Sequence, residues 1–206
     1  MKRNDTSGIE TNFEVRSLDA AISPEEYNRL PKNPLYIILD NLRSAFNVGA
    51  IFRLCDVMRV EGLFLCGYTA CPPHYKLAKT SLGTVDYVPW KKFESAEQAV
   101  LFLKERGIPV WAAETTSKSK PYDTVAYPVR LGVVFGNEAL GVERKVLDLC
   151  DEIVEIPVYG FKNSLNVATS CAVIGCRILA EMRKKNHPVG NGAVILRKGT
   201  EQQNQL

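Results

Sequence analysis

Leu35-Tyr36-Ile37-Ile38-Leu39 is a continuous apolar run, stopped by Asp40-Asn41 and followed by residues 47–58. In that second segment Ile51, Leu54, Cys55 and Met58 recur at i, i+3, i+4 and i+7. An unbroken apolar run reads as a strand buried on both faces, and the recurrence after it reads as an amphipathic helix. The same strand-then-helix alternation continues outward. Strands are expected at 63–66, 109–113, 130–135 and 153–156, and helices at 76–82, 95–106, 143–150 and 166–184. Ser95 with Gln98 forms a capping-box pattern and Gly107 a C-terminal stop. Residues 114–128 have no period and read as a long loop. Upstream, Ser23-Pro24-Glu25-Glu26 has the signature of a helix start, and Pro31 and Pro34 end that helix. This alternation predicts an α/β domain: a mostly parallel sheet with helices on both faces.

Length and composition agree with one such domain. The 206 residues are 46% hydrophobic and 24% charged, enough to bury a core without disulfides or metal. The expected organisation is a leader and short helix over residues 1–34, the domain over 35–185, and a flexible tail over 186–206. No apolar run has the length of a membrane span, and residues 1–6 lead into polar sequence rather than a signal core, so a cytoplasmic protein without membrane contact is expected. The six cysteines form no CxxC pair and read as reduced thiols, four of them in core-like surroundings. With only His74 and His187 present, no zinc cluster is expected. The net charge is +3, and residues 181–206 carry five basic against two acidic side chains, so the remainder is neutral. A nucleic-acid partner would therefore be held by local patches rather than by a polycationic surface.

In a parallel sheet, ligands bind beyond the C-terminal strand ends, and three segments there carry chemistry. In the first, Asn41 to Arg53, Asn47 fits as the helix N-cap. Gly49 and Arg53 share a helix face, with room for a phosphate or sugar beside the guanidinium. Alone, it reads as an ordinary capped helix. In the second, Gly136-Asn137-Glu138-Ala139-Leu140-Gly141, two glycines bracket a carboxylate directly after a strand. It is neither a P-loop nor a dinucleotide fingerprint, and positive-φ turn glycines explain it equally well alone. In the third, Lys162 to Ser170, either Ser164 or Asn166 can cap the last helix. Together the three offer donors, acceptors and a carboxylate without a metal set or a Ser-His-Asp combination. Such a site suits the orientation of a polar substrate against a cofactor that carries the hard chemistry.

In order and spacing, Asn47-x-Gly49-x-x-x-Arg53, Gly136-Asn137-Glu138-x-x-Gly141 and Ser164-Leu165-Asn166-Val167 resemble the three motifs of the SpoU (TrmH-like) branch of the SPOUT RNA methyltransferases. The resemblance spans roughly residues 35–183. It implies S-adenosylmethionine as methyl donor, no metal, and the ribose 2′-hydroxyl of a tRNA or rRNA nucleotide as acceptor. It also implies a homodimer with its active site at the subunit interface and a C-terminal trefoil knot over residues 130–165. Carried over by position, Arg53 is the catalytic arginine, supported by Asn47, Glu138, Ser164 and Asn166. Thr115, Gly136, Ile156 and Leu165 hold the cofactor. A guanidinium is protonated at all ordinary pH, so Arg53 is expected to clamp phosphate and stabilise a developing alkoxide rather than act as a base. Residues 1–34 are too short for the extra RNA-binding domain that many relatives carry. Tyr68, Tyr75 and Tyr122 are candidates for base stacking, and Arg43, His74, Lys76, Lys79, Lys118, Lys120 and Lys162 for phosphate contacts. Two competing readings remain: a non-catalytic RNA-binding protein of the same fold, and a nicotinamide-dependent oxidoreductase. The latter lacks a GxGxxG after any strand.

Overall fold

The structure, a computed structural model, describes residues 19–185. Residues 1–18 of the expected leader and the expected tail over 186–206, with His187, Arg197 and Lys198, lie outside the described residues. The chain separates into two compact units; helix α1 (Pro24–Arg29) belongs to the smaller, and Leu30–Gly190 is the larger. The capping box at α1 is reciprocal: the Ser23 N–H donates to Glu26 Oε2 (3.0 Å) and the Glu26 N–H to Ser23 Oγ (3.2 Å).

The larger unit is built on a seven-stranded sheet in the order β3-β2-β1-β6-β4-β7-β5. Its strands are β1 (Asn33–Asp40), β2 (Val60–Cys66), β3 (Trp90–Phe93), β4 (Val110–Ala113), β5 (Lys120–Pro121), β6 (Leu131–Phe135) and β7 (Glu152–Glu155). Every pairing is parallel. The register places Ile37 between Leu63 of β2 and Val133 of β6, so the central strands are buried on both sides.

The helices are α2 (Ala45–Met58), α3 (Tyr75–Ser81), α4 (Ala96–Lys104), α5 (Arg144–Leu147) and α6 (Val167–Lys184), with a 3-10 turn over Thr84–Asp86. Alternate residues of each strand serve the two faces. Ile37, Leu39, Leu63, Leu65, Val133 and Phe135 pack with Ile51, Phe52 and Cys55 of α2 and Cys171, Ile174 and Ile178 of α6. Ile38, Phe64, Cys66, Ala112 and Val134 pack on the other face with Ala99, Val100 and Leu103 of α4 and Val146 of α5. Each fully buried Leu, Ile, Val or Phe among these contributes about 1.5–3 kcal/mol.

Four local expectations change. Asn47 is not the cap of α2: Ser44 is, with extended backbone and its Oγ accepting from the Asn47 N–H (3.2 Å). Gly49 does not leave room for a ligand, because a Cβ there would lie 2.7 Å from the Leu77 carbonyl and 3.0 Å from the Ser81 nitrogen. The glycine instead lets α3 pack directly on α2. Strand β3 was absent from the expected set, since only Phe93 of its four residues is buried and an exposed Lys91-Lys92 pair gives no apolar period. Within the expected 114–128 loop, Lys120–Pro121 pairs with β7 as the edge strand β5. The boundaries of the other elements shift by one to three residues, which is the ordinary scatter at element ends. Of the six free cysteines, Cys55, Cys66 and Cys171 are buried, Cys71 and Cys150 half-buried and Cys176 exposed.

Candidate active site

The C-terminal ends of β4, β6 and β7 open onto a cavity of about 460 Å³. The loops after β6 and β7 wall it, and the first turns of α6 close one side. Its apolar lining includes Phe135, Val154, Ile156, Leu165, Val167 and Ile174. Gly136 is required by contact rather than by φ: a Cβ there would meet the Gly141 carbonyl carbon at 2.2 Å and the Val142 nitrogen at 2.3 Å. The loop closes on itself, with the Asn137 N–H donating to the Gly141 carbonyl (3.0 Å) and the Gly141 N–H to the Asn137 carbonyl (2.9 Å). Gly141 sits at φ +71°, which glycine adopts without steric cost.

Hydrogen bonds join the three motifs. The Glu138 carboxylate accepts from the Arg43 N–H (2.8 Å), the Ser44 N–H (3.1 Å) and the Asn47 Nδ2 amide (2.9 Å). Asn166 Nδ2 donates to Asn47 Oδ1 (3.2 Å), while Asn166 Oδ1 accepts from the Ala168 and Thr169 N–H groups and so caps α6. Because Ser44 takes the capping role, the Asn47 side chain is free to bridge the other two motifs. Burial works to raise the Glu138 pKa, but the Arg43 N–H, the Asn47 amide and the Ser44 N–H outweigh it and hold the carboxyl below its ordinary value. Glu138 is therefore an ionised brace between loops, not a proton donor.

Asn137 supports the same loop. Its Nδ2 donates to the Asn41 carbonyl (2.6 Å) and the Tyr68 hydroxyl (2.5 Å), and its Oδ1 accepts from the Ala139 and Leu140 N–H groups. Behind it Asp40 is buried, with Oδ1 accepting from Asn41 Nδ2 (3.0 Å). Burial raises its pKa above the usual carboxylate value, although the Glu143 N–H works against the rise.

Thr115, Gly136, Ile156 and Leu165 all line the cavity, as do Glu138, Ser164 and Asn166. Asn47 lies beside it, in an open hollow with Arg43, Ser44, Glu138 and Asn166. Arg53 does not line the cavity; it is exposed on α2, six residues beyond Asn47. Six residues along a helix rotate a side chain by about 240° and advance it about 9 Å, so the two residues face different ways. The three tyrosines divide. Tyr68 and Tyr75 are 60% and 68% exposed, whereas Tyr122 packs partly against the core. Glu114 was missed. It follows β4, lines the cavity, and its carboxylate accepts from the Thr115 N–H (2.9 Å) and the Val142 N–H (2.9 Å). Its place directly after a strand at the ligand edge was the available signal. Among the described residues no group of three or more His, Cys, Asp or Glu is placed to hold a metal, and no helix is long and apolar enough to cross a membrane.

The parallel α/β sheet thus carries three loops joined by hydrogen bonds beside one cavity. The model of the SpoU rRNA Methylase family matches residues 34–176, and the chain belongs to that family. It is 31% identical over 157 residues to a Staphylococcus haemolyticus protein named for the TrmH family of tRNA/rRNA methyltransferases; the match covers 76% of this chain and 61% of that one. It is 33% identical over 150 residues to the tRNA (guanosine(18)-2′-O)-methyltransferase of Thermus thermophilus, covering 73% of this chain and 76% of that enzyme. The fold is similar to that of the SpoU methyltransferase AviRb from Streptomyces viridochromogenes in complex with AdoMet. The TM-score is 0.69 at 22% identity, over 76% of this chain and 63% of that one. The chain thus spans about three fifths of the Staphylococcus relative's length.

Proposed function

We propose that this protein transfers a methyl group from S-adenosylmethionine to the ribose 2′-hydroxyl of a nucleotide in tRNA or rRNA. The observation that carries this reading is the hydrogen-bonded chain Glu138–Asn47–Asn166, which ties all three motifs together at the rim of one cavity. The Thermus relative is named for this reaction on tRNA, and the AviRb structure holds the same donor. The cavity suits that donor: its volume is in the range of cofactor pockets. Ile156 and Leu165 give apolar surface for a base, and the backbone at Gly136 allows close approach. The donor supplies an already activated methyl group. The chain's task is to hold the acceptor oxygen in line and favour loss of its proton.

In this reading Thr115, Gly136, Ile156 and Leu165 hold the donor, and Asn47, Ser164 and Asn166 face the acceptor nucleotide. Arg53 clamps phosphate and stabilises the developing alkoxide. Since Arg53 lies away from its own chain's cavity, we propose a homodimer in which it serves the cavity of the partner. Four apolar side chains on the cavity's wall loops support that assembly, Leu140, Tyr159, Phe161 and Leu165, exposed to 84%, 96%, 98% and 45%. A trefoil knot belongs to the same reading. It is supported by the strand order, in which β6 enters between β1 and β4 after β4 has formed its place in the chain. Tyr75, stacked on His74 with Lys76 and Lys79 near its ring, is the proposed landing surface for RNA. Such a substrate puts the work of the protein in the cytoplasm, with residues 35–185 as the methyltransferase domain.

The test is methyl transfer. Incubation with labelled S-adenosylmethionine and unmodified tRNA or rRNA, followed by digestion to nucleosides, is expected to yield a labelled 2′-O-methyl nucleoside. Label on a base overturns the acceptor, and donor binding without transfer to either RNA pool overturns the substrate class.

A further inference from the structure

We propose that the cavity selects the positively charged methyl donor over the neutral product left after transfer, and that Glu114 is the residue that reads this charge. The inference rests on the methyl-donor reading above and deepens it.

Three carboxylates line the cavity, Glu114, Glu138 and Glu155, and no Lys, Arg or His is among the lining residues. Two of the three are drawn toward neighbouring segments by their hydrogen bonds. Glu138 is taken by its three donors from residues 43–47. Glu155 accepts from the Ser119 hydroxyl (2.8 Å) and so faces the neighbouring loop. Glu114 differs. Each of its oxygens accepts one backbone N–H, from Thr115 and from Val142, and no cation of the described residues pairs with it. A carboxylate has about four acceptor positions, so about half of its capacity remains for a ligand. Its orientation is fixed from two sides. Gly141 lies directly over it, since a Cβ there would fall 2.4 Å from Glu114 Oε2. The second glycine of the motif thus lets the loop rest on this carboxylate and brings the charge to the cavity wall.

The chemistry of transfer changes the charge of the ligand. The donor carries a sulfonium, an ammonium and a carboxylate, a net +1. In the transfer the S–CH3 bond breaks with its electron pair left on sulfur, the O–CH3 bond forms, and the hydroxyl proton leaves to solvent. The product retains the ammonium and carboxylate and is neutral. A cavity whose own chain lines it with negative charge, the partner's Arg53 being engaged by the acceptor's phosphate, therefore loosens its hold as the reaction proceeds, which favours exchange of product for fresh donor. One carboxylate in a partly solvated site distinguishes ligands that differ by one charge by about tenfold in affinity.

The experiment is calorimetric titration of the full chain at low and high salt with three ligands: S-adenosylmethionine, S-adenosylhomocysteine, and the analogue with a protonated amine in place of the sulfonium. The two cationic ligands are expected to bind about tenfold more tightly than the neutral one, with the gap narrowing as salt rises. Glu114→Gln is expected to weaken the cationic ligands and leave the neutral one unchanged, while Glu155→Gln keeps most of the gap. Equal affinities for all three ligands in the unaltered protein overturn the proposal and leave the donor reading intact. So does an equal loss for all three in Glu114→Gln, which would make Glu114 a brace only. If that variant does not fold, the salt dependence of the gap in the unaltered protein decides. Binding of none of the ligands overturns the donor reading and this proposal with it.

Discussion

Replacing Gly136 by alanine tests the account of the site most directly. The added methyl would lie 2.2 Å from the Gly141 carbonyl carbon, 2.3 Å from the Val142 nitrogen and 2.6 Å from the Gly141 carbonyl oxygen. All three are backbone atoms, so no side chain can rotate away. Ordinary carbon contacts begin near 3.5 Å, which requires the two segments to part by about 1 Å. The paired hydrogen bonds between Asn137 and Gly141 and the bond from Val142 N–H to Glu114 oppose that movement. Overpacking of this kind costs about 1–3 kcal/mol, and a purely backbone clash belongs at the upper end. In a chain of this length that is a fall of roughly 6–12 °C in Tm. Gly160→Ala is the control, because nothing lies within 4 Å of its added methyl. Thermal melting of both variants, with a donor titration, is the assay. The expected result is a large Tm loss and weakened donor binding for Gly136→Ala and neither for Gly160→Ala. Equal melting temperatures and equal donor affinities would refute the close-approach argument.

Other consequences can be checked on the same material. Glu138→Gln is expected to cost about 1 kcal/mol, reduced from the full value of charge-assisted bonds by solvent exposure. Because the folded pKa of Glu138 is depressed, that difference should be complete at neutral pH and vanish as pH falls through the folded value, as urea melts at several pH values will show. Asp40 has the opposite sign. Burial raises its folded pKa, so its ionised form carries a penalty, and Asp40→Asn should stabilise at neutral pH and lose that advantage in acid. Asn166→Ala removes the α6 cap and its bond to Asn47, at a cost of about 1 kcal/mol read from the denaturation midpoint. Thiol labelling of the native protein should find Cys176 reactive. Cys66 and Cys171, whose thiols burial pushes up to about 12, should react only on unfolding, as should fully buried Cys55.

Elements that declare themselves by local chemistry were legible before the structure. Ser23 and Ser95 cap helices because a short side chain reaches the N–H three residues on, a relation written in adjacent sequence; at α6 the sequence left Ser164 and Asn166 open and Asn166 is the cap, and at α2 Ser44 takes the place expected of Asn47. The apolar runs at 35–39 and 131–135 declare strands buried on both faces, and hence a parallel sheet with helices on both sides. The motif loops could be assigned to one edge for the same reason, and the cavity-lining residues Thr115, Gly136, Ile156 and Leu165 lie there.

Tertiary structure decided what depends on contacts between distant segments. That Glu138 is a brace follows from bonds to residues 91 to 95 positions away, which no local pattern encodes. That Gly49 serves helix packing follows from the position of α3 above it. Edge strands β3 and β5 gain their pairing from a neighbour rather than from an apolar period of their own. The direction of Arg53, away from the cavity its motif resembles, is set by helical rotation combined with the docking of α2 on the sheet. The place of the Glu114 carboxylate at the cavity wall depends on Gly141, 27 positions away, resting on it. Periodicity and capping are properties of consecutive residues, whereas the meeting of loops depends on strand order and register, which the whole chain fixes together.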